Sequence, residues 1–199
     1  MTRLLAILLA LSAPLAAQAA ELRVPGDFCR IQQALDAAAP GDTVRVAAGI
    51  YAGPGNRALD TRGKALTLLG AGPGATVLDC EGASRGFLLR GEAGTRCLVR
   101  GFTVLRGAAE RGAGALCEGA SPRFESCQFL DCEADYGGGL AVTWEATPRL
   151  RACVFKGNRA RLGGGDVYVV GGELLLRDCR AGDVLALAGA RLRRIDSPQ

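Results

Sequence analysis

The sequence predicts an all-β protein, a right-handed parallel β-helix of about six coils with an N-terminal capping α-helix. Two observations carry this prediction. The chain repeats itself about every 26 residues, and each repeat holds short runs of β-forming residues that glycine and proline interrupt. A third supports it, since glycine occupies 29 of the 199 positions, about twice its usual share. We expect one β-helix domain over residues 20–199.

The repeat is clearest in the second half of the chain. The segment SPRFESCQFLDCEADYGGGLAV from Ser121 aligns with TPRLRACVFKGNRARLGGGDVY from Thr147, and Gly137–Gly139 falls on Gly163–Gly165. Leucine-rich repeats have a similar period, but their L-x-x-L-x-L-x-x-N frame is missing here. Stacked coils would pair each strand in parallel with its equivalent about 4.8 Å away.

The two ends of the solenoid have distinct sequence patterns. Apolar residues such as Ile31 and Leu35 recur at helical spacing within Phe28–Ala38, before the helix-breaking Pro-Gly-Asp. We therefore expect residues 28–38 to form a helix that covers the first coil, followed by a first strand at Thr43–Val46. At the other end, the charges of Arg191–Arg194 are expected to discourage edge-to-edge pairing.

Two segments resemble known families. Residues Ile31–Tyr51, IQQALDAAAPGDTVRVAAGIY, followed by KALTLLGAG at Lys64–Gly72, resemble the N-terminal cap of pectin-lyase-like β-helix proteins. The units with GGG and with Phe155-Lys-Gly-Asn158 resemble the GGA…FxxN repeats of polymorphic outer-membrane proteins. The resemblance implies the β-helix architecture. It also implies a superfamily of pectate and pectin lyases, pectin methylesterases, polygalacturonases, adhesin passenger domains and members without known activity.

The first 19 residues have the pattern of a secretory signal peptide. Arg3 provides the positive charge, Leu4–Leu11 the apolar segment, and Ala17–Ala19 an A-x-A cleavage site. The sequence therefore predicts export to the periplasm or outside the cell. No later apolar stretch is long enough to span a bilayer. An oxidising compartment would permit disulfides among the eight cysteines.

The cysteines fall into two groups. Cys127, Cys153 and Cys179 share one column of the repeat, and we interpret them as small buried apolar residues. Zinc ligands would converge on one centre instead of spreading along a stack. The better disulfide candidates are Cys29, Cys80, Cys97, Cys117 and Cys132. Eight cysteines allow 105 pairings, so the connectivity stays open.

The sharpest acidic cluster is Asp131, Glu133 and Asp135. It is a candidate calcium site, because calcium takes several oxygen ligands, and calcium is the one cofactor that the sequence suggests. The repeat also gives each acid an arginine in an adjacent coil: Arg106, Arg159 and Arg161, respectively. A further column holds Arg100, Glu125, Arg151 and Arg177. We therefore favour ladders of exposed ion pairs over a metal site.

Composition limits the possible chemistry. The chain has no histidine, which excludes a Ser-His-Asp triad and the Gly-His-Gly motif by which polygalacturonases resemble one another. The nearest approach to a catalytic set is Arg106, Asp131 and Asp135, which match no motif of the superfamily. The strands of each repeat are joined by short turns, so no long loop is available to form the wall of a cleft.

An aromatic pair supplies the binding candidates. Trp144 and Tyr136 could stack on a sugar ring, although an indole also caps core corners. The net charge is only +4, and basic residues alternate with acids, so no nucleic-acid partner is predicted. We expect an exported, non-catalytic module that binds polysaccharide or a cell-envelope protein. The alternative is a polysaccharide-active enzyme, pectate-lyase-like or esterase-like.

Overall fold

A computed structural model describes residues 19–91, 96–187 and 189–197. It confirms the predicted fold class: a parallel β-helix of about six coils with one short α-helix. The predicted signal peptide, apart from its last residue, lies outside the described residues. Within the described ranges no helix is long and apolar enough to cross a bilayer.

The strands form four sheets, which we name A to D. The three coils that begin at Leu98, Arg123 and Arg149 pass through them in the order A, B, D and C, whereas the two coils before them have no strand in sheet D. Sheet A contains Glu21–Val24, Thr43–Val46, Thr67–Leu69, Leu98–Arg100, Arg123–Glu125, Arg149–Arg151, Glu173–Arg177 and Arg191–Ile195. Sheet B contains Gly49–Ala52, Thr76–Asp79, Thr103–Leu105, Gln128–Leu130 and Val154–Lys156. Sheet C contains Leu59–Asp60, Phe87–Arg90, Ala115–Glu118, Leu140–Thr143, Val167–Val169 and Val184–Ala186. Sheet D contains Ala108–Arg111, Glu133–Tyr136 and Arg159–Gly163.

Phenylalanines fill much of the interior. Strand residues alternate between the core and solvent, so Phe124 of sheet A and Phe129 of sheet B both point inward and are fully buried. Their rings meet edge to face, with centroids 5.7 Å apart. Phe129 in turn stacks on Phe155 of the next coil at 4.8 Å. Such aromatic contacts add about 0.5–1.5 kcal/mol to the free energy gained by burial.

Sharp corners with left-handed backbone separate the sheets. Ser126 and Ala152 adopt φ values of +48° and +51° between sheets A and B, a conformation that costs a non-glycine residue about 1–2 kcal/mol. Between sheets D and C the equivalent position is Gly137, at φ +63°. A Cβ there would lie 2.4 Å from the carbonyl oxygen of Leu140, so only glycine fits.

A bulge changes the repeat length in one coil. Glu133 pairs with Arg159, an offset of 26, but the register shifts before Tyr136 pairs with Gly163. The next strand keeps the longer offset, because Leu140 pairs with Val167. The alignment of Gly137–Gly139 with Gly163–Gly165 is therefore wrong by one residue.

The N-terminal helix covers the first coil, as expected, but is shorter than residues 28–38. It spans Ile31–Ala37, and the side chains of Ile31 and Leu35 are fully buried. It begins at Ile31 because that backbone N–H donates to Oδ1 of Asn56, at 3.1 Å, from the first coil. The ammonium of Lys64 donates to the carbonyl oxygens of Leu35 and Ala38, which satisfies the C-terminal end.

Candidate functional site

Trp144 projects from the corner that joins sheet C to sheet A. It follows the strand Leu140–Thr143, and both it and Glu145 adopt left-handed backbone, with φ of +56° and +57°. Two such residues in succession turn the chain sharply and leave the indole 76% exposed. This exposure favours a binding role for Trp144 over the capping of a core corner.

A groove opens beside the indole along the same edge of sheet C. It is an open cavity of about 500 Å³ lined by Arg90, Gly91, Glu118, Gly119 and Trp144. Arg90 Nε donates to Glu118 Oε2 at 3.0 Å, so one wall carries a neutralised ion pair. A Cβ on Gly119 would lie 2.5 Å from the carbonyl oxygen of Gly91, so bare backbone lines that part of the groove. An aromatic face beside a few polar groups is typical of small-molecule binding sites.

A constant offset of 26 would place Val170 next to Trp144, but the structure places Val170 one residue away. The bulge between the strands Glu133–Tyr136 and Arg159–Gly163 shifts the next coil by one residue. Thr143 therefore lies beside Val170, and the turn at Trp144 lies beside Gly171, whose carbonyl oxygen accepts a hydrogen bond from the N–H of Glu145. Glycine there leaves one side of the indole unobstructed by a side chain.

Tyr136 does not line this groove. Its ring packs on Tyr168 at a centroid distance of 4.9 Å, on the outer surface where sheet D meets sheet C. Tyr168 belongs to a small apolar cluster with Leu116 and Ala141 and is 7% exposed. The two predicted ligand residues, Trp144 and Tyr136, therefore belong to different surroundings.

The candidate catalytic residues are not gathered at one point. Arg106 forms its ion pair with Asp79 of the preceding coil instead of with Asp131, so that expected pair is wrong. This guanidinium holds the pKa of Asp79 below its usual range. Asp135 pairs with Arg161 at 2.8 Å, as expected, and its pKa is lowered by that hydrogen bond.

The acidic cluster does not fit calcium. Glu133 and Asp135 both point outward from one strand, and Asp135 is already bound by Arg161. Glu133 lies beside Arg159 in register, while Asp131 sits at the corner before the strand, next to Gly157. In the part of the chain that the structure describes, no three acidic or cysteine side chains converge to hold a metal ion.

Arginines gather on the outer surface of sheet A in its last five strands. The register places Arg123 beside Arg149, and two residues along it places Arg151 beside Arg177. We name the outward arginines of these strands the arginine face: Arg100, Arg123, Arg149, Arg151, Arg177, Arg191 and Arg193. The same strands carry two outward glutamates, Glu125 and Glu173.

Sequence reasoning found only part of the arginine face. The predicted column of Arg100, Glu125, Arg151 and Arg177 is confirmed by the register. The neighbouring column, with Arg123, Arg149 and Arg193, was missed. The signal was available, because residues two apart on a strand share a face, so the R-x-R of Arg149–Arg151 predicts two parallel columns.

The predicted disulfides are wrong. All eight cysteines, each within the described residues, are free thiols. Within the column of Cys127, Cys153 and Cys179, equivalent side chains point the same way, so neighbouring Cβ atoms stay further apart than the 3.5–4.5 Å of a disulfide. Cys127, Cys153 and Cys179 do share an interior column, and the first two are buried. Burial raises the pKa of Cys80 and of Cys97 to about 12, which keeps these thiols protonated.

No protein-family model, no curated protein and no solved structure matches this chain.

Proposed function

We propose that this protein is an exported, non-catalytic β-helix module that binds polysaccharide, with Trp144 as the stacking platform of its binding groove. The exposed indole carries the proposal. An aromatic face of this size left in water loses the free energy of burial, roughly 1.5–3 kcal/mol, and a sugar ring stacked on it would recover part of that.

The surroundings of Trp144 support a binding groove. The ion pair of Arg90 and Glu118 presents both donors and acceptors for hydroxyl groups. The groove is shallow and widely open to solvent, so a polymer could lie across it. The resemblance of the N-terminal segment to pectin-lyase-like proteins agrees with a polysaccharide ligand.

The pairing of charged groups supports binding without turnover. A general acid or base needs a pKa near the working pH, usually reached by burial in a cleft. Asp79 and Asp135 instead have lowered pKa values, because arginines hold them as carboxylates. These side chains stabilise neighbouring coils and leave little capacity for proton transfer.

The single tryptophan provides a direct test. We expect a neutral oligosaccharide such as cellohexaose, titrated up to millimolar concentration, to shift the fluorescence of Trp144. Trp144→Ala should weaken binding at least tenfold by calorimetry, because stacking is the main apolar contact. The matched control is Ile50→Ala, since Ile50 is 75% exposed but lies outside the groove. It should bind as the parent does.

Two results would overturn the proposal. One is that none of a panel of neutral and acidic saccharides changes the fluorescence emission of Trp144. The other is the release of unsaturated product or methanol from acidic polysaccharides, with or without calcium, which would favour the lyase or esterase alternative.

A further inference from the structure

We propose that the arginine face is a second, independent binding surface that holds a linear acidic polysaccharide, its carboxylates bound by successive guanidinium groups along the solenoid axis. The inference goes beyond the function proposed above, because it concerns another sheet and requires nothing of Trp144.

The arginine face carries far more positive charge than its own acids neutralise. Glu125 binds Arg100, with Nε to Oε2 at 2.9 Å, and Arg177 lies 3.9 Å from Asp178. Among the described residues, no carboxylate lies within 4.0 Å of five of the seven arginines: Arg123, Arg149, Arg151, Arg191 and Arg193. All five are exposed to solvent. Like charges opposite one another destabilise a sheet, so this arrangement is unfavourable for the isolated protein.

The spacing suits a polymer with regularly repeated charge. Equivalent residues of adjacent coils lie about 4.8 Å apart, so the five strands extend for about 19 Å along the axis. Each guanidinium presents a planar fork that binds a carboxylate through two parallel hydrogen bonds. A uronic-acid polymer carries one carboxylate on every sugar, so several could be bound at once, and the weak individual contacts would add.

The shape of the surface also suits an extended chain. A depression of about 250 Å³ is lined by residues that include Arg123, Arg149, Arg151 and Leu175. A second, of about 180 Å³, continues from it and shares Arg149 and Leu175. The two depressions adjoin at Arg149 and Leu175, so guanidinium groups lie beside an apolar side chain against which the less polar face of a sugar ring can pack, although Glu173 also lines the second depression.

Other polyanions fit this surface less well. Single-stranded nucleic acids bind through aromatic platforms on which their bases stack, and the outward residues of these five strands include no aromatic side chain. Reading of duplex DNA requires a helix or a ribbon that enters a groove, whereas this face is a flat sheet. Anionic membranes are bound most firmly when apolar or aromatic side chains insert beside the basic ones, and only Leu98, Leu175 and Ile195 are available.

The test measures polygalacturonate binding by the whole chain in 20–300 mM salt. We expect binding that weakens as salt increases, since exposed charges are screened beyond about 10 Å at 0.1 M. The double variant Arg123→Ser with Arg149→Ser should lose at least tenfold in affinity. Its matched control is Arg111→Ser with Arg159→Ser, which removes the same charge from sheet D and should lose less than threefold.

Three further variants make the result decisive. Glu125→Gln removes a negative charge from the face and should strengthen binding severalfold, a gain that misfolding cannot imitate. Arg149→Lys keeps the positive charge but lacks the planar guanidinium that binds a carboxylate through two hydrogen bonds, so this variant should lose part of the affinity for polygalacturonate. Trp144→Ala should bind polygalacturonate as the parent does, which separates this proposal from the tryptophan groove.

Three outcomes would overturn the inference. The first is no polygalacturonate binding at 20 mM salt. The second is an equal loss in the sheet A and sheet D double variants, which would mean unspecific attraction. The third is equal or tighter binding of single-stranded DNA, or of phosphatidylserine vesicles, that depends on the same arginines. That result would assign the face to a nucleic acid or a membrane.

Discussion

The outer surface of sheet A differs between its first three strands and its last five. In the first part, Glu21 binds both Arg23 and Arg45, at 3.1 and 2.9 Å, and the remaining outward positions include Thr43 and Thr67. In the last part, arginines outnumber glutamates by seven to two. The parallel pairing is continuous across both parts.

This difference distinguishes the residues that stabilise the stack of strands from the outward residues that do not. The first strands show that sheet A stacks well with neutral and balanced side chains outside. The inward residues, such as Val44 and Phe124, are fully buried in both parts and account for the stacking. The stacking of the last strands therefore does not need their charge excess, which favours a ligand as the reason for it.

The largest expected effect concerns the helix that covers the N-terminal part. Ile31→Asp would place a charge without a partner in a fully buried position and should lower the free energy of unfolding by several kcal/mol. Leu192→Asp, in the last strand, should cost less because Leu192 is only half-buried. Thermal melting measures both, with the exposed Gln33→Asp as control. A melting point for Ile31→Asp within a degree or two of the parent would contradict the cap.

The next largest effect on stability is expected when a charge within the arginine face is reversed by mutation. Glu125→Arg would leave arginines at four successive positions of one column and should cost about 1 kcal/mol at low salt, and less at high salt. Arg151→Glu in that background should recover part of the loss. Glu21→Arg, the counterpart in the first strands, should cost less, because position 21 lies opposite Thr43, whereas position 125 lies directly between Arg100 and Arg151. Chemical denaturation at two salt concentrations tests this series, and equal losses at Glu125 and Glu21 would contradict it.

A smaller effect is expected from acid, mainly in the N-terminal part. The pKa of Asp42 is lowered by hydrogen bonds from the backbone N–H groups of Ala20 and Ala39. A carboxylate with a lowered pKa stabilises the fold fully above its ordinary value of 3.8, and the contribution is lost as pH falls through the lowered value. Asp42→Asn should therefore melt at a lower temperature than the parent at pH 7, and the difference should shrink below pH 3.8. Parallel melting profiles from pH 7 to pH 2 would contradict this.

The smallest effect is expected from a reductant. The two parts of the solenoid both contain cysteines, such as Cys29 near the start and Cys179 near the end, and none is bridged. Dithiothreitol should leave the melting temperature of both parts unchanged. In the native protein a thiol reagent should modify exposed Cys29 first and half-buried Cys179 more slowly. A drop in melting temperature of several degrees on reduction would show a disulfide that this structure lacks.

Much of the fold could be predicted because a parallel β-helix repeats its backbone almost without change. The alignment at an offset of 26 correctly places Phe124 against Leu150 and Phe129 against Phe155. Constant offsets fail at a bulge, where one extra residue enters a strand and no composition signal marks it. This is why the neighbour of Trp144 was misplaced by one residue.

The candidate sites were harder to predict than the fold. The repeat predicts which side chains lie next to each other in adjacent coils. It does not predict with which of two neighbouring carboxylates a long arginine side chain forms its ion pair. Arg106 had acids on both sides and bound Asp79 instead of Asp131. The second column of the arginine face, with Arg123, Arg149 and Arg193, was missed because it also contains Leu98 and Leu175 and no acid, so it does not have the pattern of an ion-pair ladder.

The pairing of each strand with its equivalents one coil away has a kinetic consequence. Contacts that join residues about 26 apart in a chain of 199 give a relative contact order of about 0.13, well below that of typical all-β sandwiches. No strand has to find a partner from the far end of the chain. Folding can therefore begin wherever two or three neighbouring coils pair, and further coils can then add at both ends of this nucleus.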